Sequence, residues 1–210
     1  MRGLDPRTSA LLMTNGNQDR KATAREAIEF AWTTLPSSLS SLLENIGADQ
    51  WRVYGEPLGP RISALLRSSG EPPLSPEAEL DFDSALGAWI PRLRVVAINA
   101  LHPSLAGLDE ASYVQMIMRT AWHEWGHALS LDRATDDDVR RGPELLRLAP
   151  AGISSLVRQG GYRRGQYTHE LVANAFSVLM ARRLMGGSGR PGWMRVEIYE
   201  MIERVLGWKM

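Results

Sequence analysis

The stretch Ala121-Trp122-His123-Glu124-Trp125-Gly126-His127-Ala128-Leu129 decides how the rest of the chain is read. Upstream of it, Tyr113, Met116, Ile117, Thr120 and Ala121 recur at the spacing of a buried helix. Asp109 or Ser112 stands where the N-cap of that helix belongs, and the pattern runs to about Leu131. Residues four apart share one helix face, so His123 and His127 can present two imidazoles to a single metal ion. Glu124 follows the first histidine and so sits beside that ion, within reach of a water on it. Gly126 removes a side chain from the same neighbourhood, and Trp122 and Trp125 are expected to face the core or a cleft wall.

This is the His-Glu-x-x-His pattern of zinc hydrolases. The chain has four histidines, and a chance match has odds on the order of one in a hundred or lower. The plain alternative is a helix whose two histidines are satisfied by core hydrogen bonds or by solvent. A catalytic zinc has three protein ligands and one open position. Six residues after His127, where a metzincin carries its third histidine, stands Arg133, and Ser130 replaces the expected glycine. That class is excluded. Further on, Glu170-Leu171-Val172-Ala173-Asn174 opens a helix expected over Glu170–Met185. Glu170 can supply a carboxylate oxygen, and Asn174, four residues later, can hold the imidazole of a ligating histidine from behind. His169 is a rival ligand, but it points about 100° away from Glu170 on that helix, and Glu170 is preferred.

The combination of VVAIN, AWHEWGHAL and HELVANAFSVLMARRL resembles the ImmA/IrrE family of metallopeptidases, and Glu170-x-x-Ala173-Asn174 resembles the second motif of the gluzincins. The resemblance covers residues 94–185 with gaps. It implies an α+β zincin-like fold, with a small mixed β-sheet, an active-site helix and a glutamate helix. It implies His123, His127 and Glu170 as ligands of Zn2+, Glu124 as general base and Asn174 in support. The implied activity is peptide-bond hydrolysis, with a peptide or protein as the partner. A non-catalytic zinc-binding regulatory module of the same fold is the alternative; the intact Glu124 argues against it, because a structural site has no need of a base. The Ala128–His169 insertion is long for the family, and no helix-turn-helix is recognisable.

Around the motif, Leu93–Asn99 is the strongest strand, β-branched and bounded by Pro91 and His102-Pro103. Its residues Val95, Val96, Ala97, Ile98 and Asn99 are expected to form an edge that holds an extended peptide by strand addition. Tyr162, Tyr167 and His169 lie just before the glutamate helix and are candidate oxyanion stabilisers; loop or packing roles are equally open to them. Further helices are expected over Asp19–Leu35, Ser37–Ile46 and Pro191–Leu206, with a strand at Trp51–Tyr54 and a helical turn or two at Ile62–Leu66. Leu80–Phe82 and Leu86–Ile90 are weak strand candidates, and Asp136–Asp138 reads as a solvated loop. Trp32, Trp51 and Trp89 read as packing residues, His102 as a turn residue, and Gly186–Gly192 as a flexible connection.

Composition narrows the classes further. Of 210 residues, 44% are apolar and 23% charged, which supports a sizeable core. Twenty-four basic side chains balance 24 acidic ones, so nucleic acid is not an expected partner. The absence of cysteine excludes disulfides, thiolate catalysis and cysteine-ligated metal clusters. No apolar run reaches the length of a membrane span and the Ala10–Met13 patch is too short for a signal core, so no membrane association and a cytoplasmic location are expected. The expected division is a flexible tail over 1–18, a helical segment and linker over 19–76 ending in SSGEPPLSP, and a zincin-like catalytic domain over 77–210.

Overall fold

The computed structural model describes residues 20–159 and 162–208. The tail expected over 1–18 lies outside them. Among the described residues, nine α-helices accompany one three-stranded mixed sheet, an α+β architecture.

Helix α1 (Arg20–Thr33) buries Ala24, Ala27, Ile28 and Ala31, a stripe at three- and four-residue spacing. Pro36 precedes α2 (Ser37–Asn45), which buries Leu39 and Leu43 and ends where Gly47 adopts φ +73°. Strand β1 (Gln50–Tyr54) follows, then α3 (Leu58–Ser68) and α4 (Pro76–Asp83). The strand expected at Leu80–Phe82 is therefore helical. Ser75 caps α4 by accepting from Ala78 N, Pro76 stands in the first turn, and Glu77 and Glu79 suit the helix dipole. Helix α4 docks on α3 at Gly59, where a Cβ would overlap the Glu79 carbonyl oxygen, and Asp83 accepts the Gly59 N–H at 3.1 Å.

Strands β2 (Gly87–Ile90) and β3 (Val95–Asn99) complete the sheet in the order β1-β3-β2. β1 runs parallel to β3, with Trp51 opposite Val96, and β2 runs antiparallel to it, with Trp89 opposite Val96. The edge role expected for Val95, Val96, Ala97, Ile98 and Asn99 is overturned: this strand is the centre of the sheet, hydrogen-bonded on both sides. Its nearly continuous apolar run is what a doubly flanked strand requires. The exposed edge beside the helical motif belongs to β2.

The sheet has two covered faces. Val96, Ile98, Trp51, Val53 and Trp89 belong to the large core, whereas Ala97, Ala88 and Ile90 pack with Leu58, Ile62 and Leu66 of α3. Under the first face lies α5 (Glu110–Arg133), 24 residues long, whose N-cap Asp109 accepts from Ser112 N at 2.7 Å. Helices α6 (Asp136–Leu148) and α7 (Ala151–Gln159) pack on α8 (Tyr167–Leu184), and α8 and α9 (Val196–Leu206) pack in turn against α5. The large core draws on residues from Ala24 to Leu206, and β1 pairs along its length with β3, so the stretches before and after residue 76 share one sheet and one core. No helix of the described residues is long and apolar enough to cross a membrane.

The loop expected at Asp136–Asp138 is instead the first turn of α6. Thr135 and Asp138 form a capping box, and Asp138 is buried, where both its oxygens receive the Arg204 guanidinium of α9. Asp138 thus joins the start of α6 to α9. Its carboxyl is held well below the ordinary 3.8, first by Arg204, against burial, with help from Thr135. A depressed folded-state pKa gives stability that is complete above the unfolded value and is lost as pH falls through the folded one. Wild type should therefore lose stability as pH drops below 3.8. Asp138→Asn should start about 1–2 kcal/mol less stable at pH 7, a figure kept modest by the solvent exposure of Arg204, and should show a shallower acid slope. Denaturant unfolding at pH 7 and pH 3 measures both; parallel slopes would exclude this link.

Candidate metal centre

The site begins with a close helix crossing. Ser177 Oγ donates to the Arg119 carbonyl (2.9 Å), Ala173 faces Gly126, Glu170 meets His127, and His169 Nδ1 lies 2.8 Å from Ser130 Oγ. As α5 advances, its partners on α8 run backwards, so the two helices are antiparallel. A Cβ at Gly126 would stand 2.7 Å from Ala173 Cα. Only glycine permits that approach, and the approach carries Glu170 to the two histidines.

The rotation of α5 is set from the opposite side. Trp122 is buried with its Nε1 donating to the Ala31 carbonyl at 3.2 Å, and Trp125 packs edge-on against Trp32 with centroids 5.2 Å apart. Both tryptophans of the motif therefore face the core. With them anchored there, His123 and His127 turn toward a cleft of about 410 Å³.

His123 Nε2 and His127 Nε2 lie 3.0 Å apart; Glu170 Oε1 is 3.2 Å from His127 Nε2, and Oε2 is 3.8 Å from His123 Nε2. All three side chains offer a ligand atom within 4.8 Å of the others, a group that can bind a metal ion. Two further observations fit this. Glu170 Oε2 is buried and has no hydrogen-bond partner, which is costly for a carboxylate oxygen unless a cation completes it. His123 is pushed down to about 3 by burial and then by the charge on His127, which leaves its imidazole neutral. For His127, burial opposes the charged form, but the hydrogen bond to Glu170 and the charges of Glu124 and Glu170 outweigh it and raise its pKa.

Glu124 sits beside this group, buried, on the side facing β2. Burial pushes its carboxyl up to about 7, with the charge of His127 pulling the other way. Its Oε2 accepts the Trp89 backbone N–H at 2.8 Å. The contact requires β2 to pass close over α5, and Gly87 allows it: a Cβ there would lie 2.5 Å from Thr120 Cγ2 and 3.1 Å from Glu124 Oε1. Glycine inside a strand is a sequence signal for such an approach. The Trp89 donor is main chain, and no residue type announces it.

The remaining predicted residues divide. Tyr162 and His169 line the cleft, whereas Tyr167 packs against the large core, with its Cβ close to Gly142. Burial, then the charge of Glu170, raises the Tyr162 hydroxyl, so it stays protonated as a donor. Asn174 does not hold an imidazole: its Nδ2 donates to the Glu170 carbonyl one turn back, at 2.8 Å, because its side chain lies along its own helix. Ser130, read in the sequence only as a missing glycine, orients His169. His102 caps a 3-10 turn, as a turn residue would.

Comparison with protein-family models, curated proteins and solved structures gives no match. The assignment therefore stands on geometry, which metal analysis tests directly. Purified protein should carry about one divalent ion per chain, and His123→Ala or Glu170→Ala should lose it. Gly126→Val should also lose it without touching a ligand, by prising α8 away, at a cost of about 1–3 kcal/mol in stability. A wild-type chain that takes up no metal would sink the centre altogether.

Proposed function

We propose that this chain is a zinc-dependent metallopeptidase of gluzincin type, with the zincin-like fold and the ImmA/IrrE relationship that its motifs resemble. The observation that carries the reading is the convergence of His123, His127 and Glu170 around the orphaned Glu170 Oε2, with Glu124 alongside. Two imidazoles and one carboxylate are a catalytic zinc donor set, which leaves a fourth position open. Tetrahedral bonds of the usual zinc length separate donors by about 3.3 Å, and the three separations within the group, 3.0, 3.2 and 3.8 Å, span that value. The chemistry such an ion supplies is an acidified water and a polarised carbonyl oxygen.

The chain's own residues supply the rest. Glu124, raised to about 7 by burial, is matched to taking a proton from water and delivering it to the leaving amine. The Trp89 N–H holds its Oε2 and so directs the other oxygen, Oε1, for that transfer. Tyr162, protonated at the cleft wall, is the donor best suited to the developing oxyanion. The outer edge of β2 offers main-chain groups to an extended peptide, the role expected of β3.

Glu124→Gln should keep its zinc and lose at least about a hundredfold in cleavage of a mixed protein pool. Equal cleavage by both forms removes Glu124 as the base. Zinc retained by a wild type that cleaves nothing favours a regulatory zinc module instead. Tyr162→Phe should lower kcat by about tenfold or more with little change in KM, since the donor acts on charge that exists only in the transition state.

A further inference from the structure

Beside the metal cleft lies a second concavity of about 450 Å³, which nothing in the proposed chemistry uses. Its walls are mostly apolar, with Ile62 and Leu66 of α3, Leu74 of the connection, Phe82 of α4 and Ile90 of β2, and Arg92 adds one charge. Phe82 and Trp89 line both this concavity and the metal cleft, so the two are neighbours.

Strand β2 connects the two. Asn99 N donates to the Leu86 carbonyl, and β2 pairs antiparallel with β3. Hydrogen-bonded pairs alternate along such a ladder, so residues 86, 88 and 90 bond to β3 while Gly87 and Trp89 turn their main-chain groups outward. The Trp89 N–H reaching Glu124 agrees with this parity. Side chains on an added strand alternate between faces. One set would point toward the histidines under the sheet, and the other toward the α3–α4 side, where the apolar concavity lies.

Resting on the peptidase reading, we propose that this groove is a specificity subsite, which takes a large apolar side chain (Leu, Phe or Met) at a fixed position beside the scissile bond of a peptide laid along β2. Volume and lining both fit such an occupant. Pro73 and Leu74 of the connection between α3 and α4 form part of this wall, with Leu74 N donating to Ser63 Oγ of α3 at 3.2 Å.

The test uses zinc-loaded Glu124→Gln, which binds without turnover, and a panel of blocked Ala hexapeptides carrying Leu, Phe, Ala, Asp or Lys at one position. Calorimetry should show Leu and Phe peptides binding about tenfold or more tightly than the Ala peptide. In parallel, wild-type digestion of a peptide pool, read by mass spectrometry, should place a large apolar residue at one fixed distance from the cut. Ala78→Trp, which fills the groove, and Leu74→Asp, which charges its wall, should each erase the preference while zinc content and thermal midpoint stay unchanged. Equal affinities across the panel, or a preference that survives both substitutions, overturns the subsite. Should either variant unfold, the panel on the unaltered groove still decides. Apolar preference in Glu124→Gln with no cleavage by wild type leaves the groove standing and removes the hydrolytic reading. Cleavage without apolar preference does the reverse.

Discussion

The structure depends on one close contact, the passage of Gly126 against the backbone of Ala173. Helix α5 carries two histidines on one face whatever surrounds it, but the carboxylate that completes the group must come from elsewhere in the chain. The distance between two packed helices is set by the side chains at their crossing. With no side chain on α5 and a single methyl on α8, the axes come near enough for the short reach of Glu170 to suffice. Ser177 on Arg119 and His169 on Ser130 secure the same crossing on either side. The tryptophans behind α5 fix its rotation, so the crossing positions His123, His127 and Glu170 in angle as well as in distance.

That arrangement takes polar groups out of water at considerable cost. Two imidazoles and two carboxylates share a small, largely buried volume, and one carboxylate oxygen has no hydrogen-bond partner. Such a cluster is poorly explained as a contribution to stability, because buried charges return less than their desolvation unless fully compensated. His123, His127 and Glu170 could hold a cation, and binding one would offset that cost and couple to the stability of the fold. The same burial raises Glu124 toward neutral pH and keeps Tyr162 protonated. One physical cause, exclusion of water, thus sets the protonation of His123, Glu124 and Tyr162 together.

Around this centre the chain builds a cleft from distant parts. Strand β2 brings a main-chain donor to Glu124, α4 forms the far wall, and α6 supports the start of α8 through Thr168, whose hydroxyl donates to the Asp138 carbonyl at 2.7 Å. The stretch before residue 76 contributes to the core, to the sheet and to the apolar groove. It is part of what shapes the cleft.

The local features were legible in the residues. The periodicity around His123, the cap at Asp109, the β-branched run of β3 and the Glu170 helix are short-range patterns, and short-range sterics and hydrogen bonding fix them. Helical spacing by itself determined that His123 and His127 share a face and that Glu124 stands next to them. Tertiary structure alone decided which strand lies at the edge, since an apolar run is compatible with any buried position until both neighbours are known. It also decided that Asp138 is buried under Arg204, that Asn174 turns to its own helix, and that a Trp89 main-chain group holds Glu124. The reason is common to all of these: each depends on a partner more than one helical turn away or on a backbone atom every residue carries. The motif therefore specified the donors, and the packing of Gly126 on Ala173 decided that they meet.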